Sequence, residues 1–307
     1  MKNQQMLIKK DFFEMKTILI LGSTGFIGRN LKEYLLKENI YYILSPSRHE
    51  LNLLDERSIE KYLMMHSVDV IFHCAIFSAK NELQQTQISE RDLRMYYNVE
   101  KYHDKFGKMI YIGSGAEYGK QRAIIGVRED DIGEIIPTDA YGFAKFVIGK
   151  SIEQSENIFN FRIWGLYGKY EDWWSTFISG CCCKAIKNYP LSIRQDVCFD
   201  YLWIDDFCKI LKWSIDHELA YHTYNVGSGC SVRLSEIAEY VRQISDKKLD
   251  IVICKQGLGR EYTTDRTRLL QEYGGEYATP LEQAISEVYA WYETHAGNID
   301  MMRLIYS

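Results

Sequence analysis

A five-residue apolar run, Thr17-Ile-Leu-Ile-Leu21, stops on glycine, and glycine returns at three-residue intervals in Gly22-Ser-Thr-Gly25-Phe-Ile-Gly28. A short leucine- and isoleucine-rich run of this kind predicts a strand buried on both faces. Glycine immediately after it permits a tight turn, lets backbone N–H groups approach a pyrophosphate, and allows the next helix to pack closely on the sheet. Helical spacing from Phe26 to Lys37 supplies that helix. Gly22, Thr24, Gly25, Phe26, Ile27 and Gly28 are therefore expected to cradle a dinucleotide.

The same theme recurs along the chain. Tyr41–Leu44, Val68–His73, Lys108–Gly113, Asn160–Trp164 and Tyr224–Gly229 read as further strands separated mainly by helical stretches, so the fold class is α/β, a Rossmann-type doubly wound parallel sheet. After Trp164 the alternation fades and aromatic residues gather at Trp173, Trp174, Tyr201 and Trp203. A smaller mixed α/β substrate lobe is expected there, with an amphipathic helix from about Arg233 to Ile244. Residues 1–15 read as a flexible extension, 16–165 with about 196–226 as the NADP-binding domain, and about 166–195 with 227–307 as the substrate lobe.

Charge and cysteine content narrow the partners. Lys and Arg total 37 against 42 Asp and Glu, a formal net charge of −5, which disfavours nucleic acid as a ligand. No stretch approaches the roughly 18–20 apolar residues of a membrane span, and the N-terminal residues do not read as a signal peptide. The 8 cysteines show no Cys-x-x-Cys pair or histidine pattern for zinc, so no metal is expected, and reduced thiols in the cytoplasm are. Cys181-Cys182-Cys183 on a helix would point in three directions and cannot share one ion.

Cofactor choice falls at the end of the second strand, because an acid there hydrogen-bonds ribose hydroxyls whereas an arginine accommodates a 2′-phosphate. The sequence offers Ser45-Pro-Ser47-Arg48-His49, with no acid before Glu50. NADP(H) is expected over NAD(H), with Arg48 as the first contact and Ser47 and Arg29 as further candidates. His73 and Ala75, at the end of a later strand, are expected at the same ligand-binding edge.

The reacting groups follow in order. Ser114, in Ile112-Gly-Ser114-Gly-Ala-Glu-Tyr118, emerges at a strand end, and Tyr141 and Lys145 stand one helical turn apart in Asp139-Ala-Tyr-Gly-Phe-Ala-Lys145. A phenol is a poor acid with an unperturbed pKa near about 10, and a neighbouring ammonium stabilises its anion. Ser114 can bind a carbonyl oxygen while Tyr141 donates a proton and a nicotinamide supplies hydride, with Lys145 also gripping the ribose.

These motifs resemble the extended short-chain dehydrogenase/reductase family, the nucleotide-sugar epimerases, dehydratases and reductases. The likeness runs from Met15 through Trp164-Gly-Leu-Tyr-Gly168, Trp203-Ile-Asp205-Asp206 and Asn225-Val-Gly227. Ser47-Arg48-His-Glu-Leu-Asn-Leu-Leu-Asp55 looks most like the GDP-fucose synthase group, NADPH-dependent epimerase-reductases. In that group a cysteine two residues after the serine and a histidine two residues past Leu-Tyr-Gly epimerise the sugar; here those positions are Ala116 and Tyr170. Alanine carries no proton, so double epimerisation is not expected. The Asp-Glu that dehydratases place after the serine is replaced by Gly115-Ala116, which disfavours elimination.

What remains is a reducing set. The resemblance implies an NADPH-dependent 4-ketoreductase of a nucleotide-activated deoxysugar, with a nucleotide-diphosphate sugar as substrate and a homodimer as assembly. Substrate contacts are expected from Ser114, Tyr170, Arg194 and Arg260, with Arg268 a further cation. A 4-epimerase with tightly bound cofactor is the alternative, and a non-catalytic NADP(H) sensor is disfavoured by the intact Ser114, Tyr141 and Lys145.

Overall fold

The computed structural model describes residues 15–77 and 87–306, so the expected extension falls almost wholly outside it. Six strands form an all-parallel sheet: β1 Thr17–Leu21, β2 Tyr42–Leu44, β3 Val68–His73, β4 Phe106–Ser114, β6 Ile158–Ile163 and β10 Thr223–Val226. Their spatial order is β10-β6-β4-β3-β1-β2. The chain reverses direction of travel at β1, and the crevice between the carboxyl ends of β1 and β3 is where such sheets take ligands.

Alternation along the strands explains the apolar runs. Ile18, Ile20, Phe72, Ile110 and Phe161 pack on one face with the helix Ile204–Asp216 and buried residues of the helix Phe26–Glu38. Leu19, Leu21, Ile71, Met109 and Tyr111 pack on the other with helices Glu56–Met65, Ile88–Glu100 and Ala140–Ile152. Successive side chains point to opposite faces, and both faces are covered, so the strand centres are mostly apolar, with Asn160 and Arg162 of β6 buried polar exceptions next to the site.

A second sheet is ordered β11-β9-β13-β5, with β7 on β9, where β5 is Ile124–Val127, β7 Gly165–Tyr167, β9 Cys198–Trp203, β11 Ser231–Arg233 and β13 Tyr262–Thr264. It therefore draws strands at 124–127 and 198–203 from stretches that also feed the large sheet. A parallel pair, β8 Leu191–Asp196 with β12 Ile251–Leu258, stands apart. Helices Phe177–Ile186, Leu234–Ser245 and Leu281–Thr294 bury a separate core that includes Cys181, Cys182 and Cys183. Burial pushes the Cys181 thiol up to about 12, so it stays protonated. Trp173 joins this core ahead of the helix, which begins only at Phe177, while Trp174 is exposed beneath the Arg303 guanidinium at 4.1 Å. No helix among the described residues is long and apolar enough to cross a membrane.

Candidate active site

The glycine turn forms one end of a cavity of about 670 Å³ that runs along the carboxyl edge of the large sheet. Gly22 and Gly28 are glycines for reasons internal to the protein. A Cβ on Gly22, whose φ is +80°, would lie 2.7 Å from the Ala75 nitrogen, and one on Gly28 would lie 2.4 Å from the Gly22 carbonyl oxygen. Gly25 differs: its Cβ would meet only the Gly22 oxygen, at an ordinary 3.4 Å. The protein leaves that space open at the start of a 13-residue helix whose first N–H groups have no side-chain cap. An open cradle at an uncapped helix N-terminus fits a pyrophosphate.

The other expected cofactor residues follow this wall. Thr24, Gly25, Phe26 and Ile27 line the cavity near the turn, Ser47 and Arg48 line it beside β2, and Ala75 lines it after β3. The Glu50 carboxylate accepts the Ser47 N–H at 2.7 Å, which holds this loop. Leu51, Asn52, Leu53 and Leu54 add a mostly apolar wall unforeseen in the sequence reading. His73 departs from expectation. As the last residue of β3 it turns to the face that holds Tyr111, packs 5.4 Å from that ring, and lies outside the cavity lining. Burial drops its pKa to about 4, so the ring is neutral.

Tyr141 and Lys145 close the far end of the cavity. Asp139 caps their helix by accepting the Gly142 N–H at 2.8 Å, which puts Tyr141 in the first turn and Lys145 one turn later. The Lys145 ammonium is buried, donates to the Ile112 carbonyl at 2.6 Å, and lies 4.3 Å from the Tyr111 ring centre and 5.8 Å from that of Tyr141. Burial drops its pKa to about 8, opposed by the negative charges of Asp92 and Glu117. The Tyr141 phenol is pushed up to about 12 by burial, opposed by its hydrogen bond with Ser114. Burial thus outweighs the other influences on the phenol, and the ammonium is directed to a main-chain oxygen.

Ser114 caps the short turn Gly115–Tyr118: its Oγ accepts the Ala116 N–H at 3.2 Å and its own N–H donates to Glu117 at 3.1 Å. Behind it lies a buried polar cluster that sequence reading missed. Arg162 donates to Glu117 at 2.6 Å and Asn160 donates to the same carboxylate at 3.1 Å. Gly113 and Gly149 leave room for it, since Cβ atoms there would meet Asn160 at 2.0 Å and Glu117 at 2.4 Å. A charged residue inside the apolar run Asn160–Trp164 was the available signal. Asp92 accepts the Phe77 N–H at 2.6 Å and so holds the cavity wall after β3.

The expected substrate residues do not converge. Tyr170 lines the cavity with φ +71°, its ring 3.6 Å beneath the Arg29 guanidinium and 5.2 Å from Trp291, so it serves the cofactor wall. Arg194 is exposed on β8, outside the cavity. Arg260 is exposed, and its guanidinium donates to the Lys120 carbonyl at 3.2 Å. Arg268 is held by Asp130 at 3.0 Å and the Thr223 carbonyl at 3.1 Å. A residue not foreseen, Tyr262 of β13, packs behind this turn: its ring centre lies 5.8 Å from that of Trp164, and a Cβ on Gly115 would lie 2.5 Å from its hydroxyl oxygen.

The chain is similar to several known proteins. GDP-L-colitose synthase of Yersinia pseudotuberculosis is 23% identical over 92% of this chain and 99% of that protein. A GDP-L-fucose synthetase from Naegleria fowleri bound to NADP shares the fold with a TM-score of 0.79 at 16% identity, over 92% of this chain and 95% of that one. A GDP-mannoheptose C4 reductase from Campylobacter jejuni with NADP bound superposes with a TM-score of 0.77 at 18% identity, over 91% and 98%. The family model described as NAD dependent epimerase/dehydratase family matches residues 18–227. That match spans well over half of the sequence, and the chain belongs to the NAD dependent epimerase/dehydratase family.

Proposed function

We propose that the chain is an NADPH-dependent reductase of the 4-keto group of a nucleotide-activated deoxysugar. The observation that carries this reading is that Tyr141 and Lys145 line the same cavity as the glycine turn, beside Gly113 of the strand that ends on Ser114. When bound, the nicotinamide would supply hydride to the carbonyl carbon. Tyr141 holds the proton that the carbonyl oxygen takes up. Ser114 binds that oxygen, and the buried Lys145 cation favours the negative charge left on the phenol.

Arg48, at the cavity rim beside β2, is the residue for a 2′-phosphate, which supports NADP(H) over NAD(H). Ala116 is buried and carries no proton, and Tyr170 is committed to Arg29, so neither supports the double epimerisation of the GDP-fucose synthase pattern. Three relatives carry GDP in their names, which supports guanine as the first base to try. The homodimer, the cytoplasmic location and the division into 16–165 with 196–226 against the remainder belong to the same proposal.

The test is NADPH oxidation by purified protein against GDP-, CDP-, UDP- and dTDP-linked 4-keto-6-deoxyhexoses, repeated with NADH. Stoichiometric oxidation with NADPH preferred supports the reading. Sugar conversion without net oxidation identifies a 4-epimerase, and no conversion of any member contradicts the reading.

A further inference from the structure

The Glu117 carboxylate is fully buried and gathers donors from β4 and β6. One oxygen accepts the Ser114 N–H at 3.1 Å and the Asn160 amide at 3.2 Å; the other accepts the Arg162 guanidinium at 2.6 Å and the same amide at 3.1 Å. Neither the Glu117 nor the Arg162 side chain has any exposed surface. Two glycines make the room: Cβ atoms on Gly113 of β4 and Gly149 of the helix Ala140–Ile152 would lie 2.5 and 2.4 Å from the two carboxylate oxygens. The carboxylate thus lies between the strand that ends on Ser114 and the helix that bears Tyr141 and Lys145.

A buried ion pair recovers little more than its desolvation cost, and apolar residues of similar volume in its place are often as stable or more so. Stability by itself therefore does not account for the pair. What the carboxylate supplies is an acceptor for the Ser114 N–H. Ser114 caps the turn Gly115–Tyr118: its Oγ accepts the Ala116 N–H at 3.2 Å, and Glu117, third in the turn, reaches back to the Ser114 N–H. These two bonds fix the serine side chain. A serine hydroxyl donates once and accepts twice, so with one lone pair taken by Ala116 its proton stays available for a ligand oxygen.

We propose that Glu117 is a positioning residue for the reduction: paired with Arg162, its carboxylate clamps the turn after β4 so that the Ser114 hydroxyl is presented to the substrate carbonyl. The proposal rests on the reductase reading, in which Ser114 binds that carbonyl.

A double-mutant cycle with the GDP-linked 4-keto-6-deoxyhexose and NADPH tests it. Glu117→Gln keeps the volume but has one acceptor oxygen, which the charge-assisted bond to Arg162 claims, so the Ser114 N–H loses its partner. This variant should lower kcat roughly tenfold, equivalent to about 1.4 kcal/mol, with Kd for NADPH within about twofold. In a Ser114→Ala background the same substitution should cost nothing further, because the hydroxyl it presents is gone. The paired replacement Glu117→Leu with Arg162→Met leaves no lone buried charge, and should fold yet show the same kcat loss. Additive losses in the cycle, an unchanged kcat in Glu117→Gln or Ser114→Ala, or parental kcat in the paired replacement overturn the proposal. Failure of both Glu117 variants to fold makes the pair a structural necessity and overturns it equally. Tyr141→Phe run alongside separates the two levels: full turnover in that variant removes the reductase reading itself, whereas its inactivity beside an additive cycle removes only the role of Glu117.

Discussion

Lys145 is held in its place at a cost to stability. The folded protein lowers its pKa from the ordinary 10.5 to about 8 through burial. Below about pH 8 the lysine is charged in both folded and unfolded chains, and folding bears the full cost of burying the cation. Between about 8 and 10.5 the unfolded chain binds more protons, so stability rises with pH, by at most about 1.4 kcal/mol per pH unit. Lys145→Met should therefore be more stable than the parent in urea at pH 7, with the difference shrinking as pH passes 8, while turnover is lost. The parent's turnover should fall above about pH 8 as the ammonium empties. A variant less stable at pH 7, or a gap independent of pH, contradicts this assignment. Ser114, Tyr141 and Lys145 were legible in the sequence because their spacing and strand-end position carry information. Arg162 left one trace, a charge inside an apolar run, but nothing local signals that it is buried at 2.6 Å against Glu117, 45 residues away.

At the scale of elements, the turn from β1 into its helix separates two kinds of glycine. Gly28→Ala puts a Cβ 2.4 Å from the Gly22 carbonyl oxygen and 2.9 Å from the Ser23 Cα, which demands backbone movement. Gly25→Ala meets nothing closer than 3.4 Å. The first should destabilise the fold by more than about 2 kcal/mol. The second should leave stability within about 0.5 kcal/mol, yet weaken NADPH binding at least about tenfold, since the open cradle is then filled. Thermal melts with NADPH titration check both, and equal melting losses would show that the Gly25 space is structural. The long strands and the helices Phe26–Glu38 and Leu234–Ser245 were readable within a residue or two because their periodicity is sustained. β7, β11 and β13, of three residues each, carry no period and are visible only once paired.

At the scale of the whole molecule, the two sheets meet behind the turn after β4, where Tyr262 packs against Gly115 and Trp164. The large sheet, reversing at β1, brings the glycine turn, Ala75 and Gly113 to one edge. The small sheet collects β5, β7, β9, β11 and β13 from five separate stretches and brings the Tyr262 hydroxyl up to Gly115. The first arrangement follows from strand–helix alternation, which restricts topology strongly. The second rests on pairings between residues far apart, such as Tyr262 with Ile124 and Phe199, and no local pattern encodes them. Arg194 falls on the separate pair of β8 and β12 and Arg260 in the turn before β13, and neither lines the cavity. The central claim is that Tyr141 delivers the proton while the rest of the cleft holds the dinucleotide. Its most direct test is Tyr141→Phe, with NADPH binding and keto-sugar reduction measured on the same preparation. NADPH affinity unchanged within about twofold and kcat reduced by roughly 10²–10⁴ is the predicted result; undiminished kcat would contradict the account.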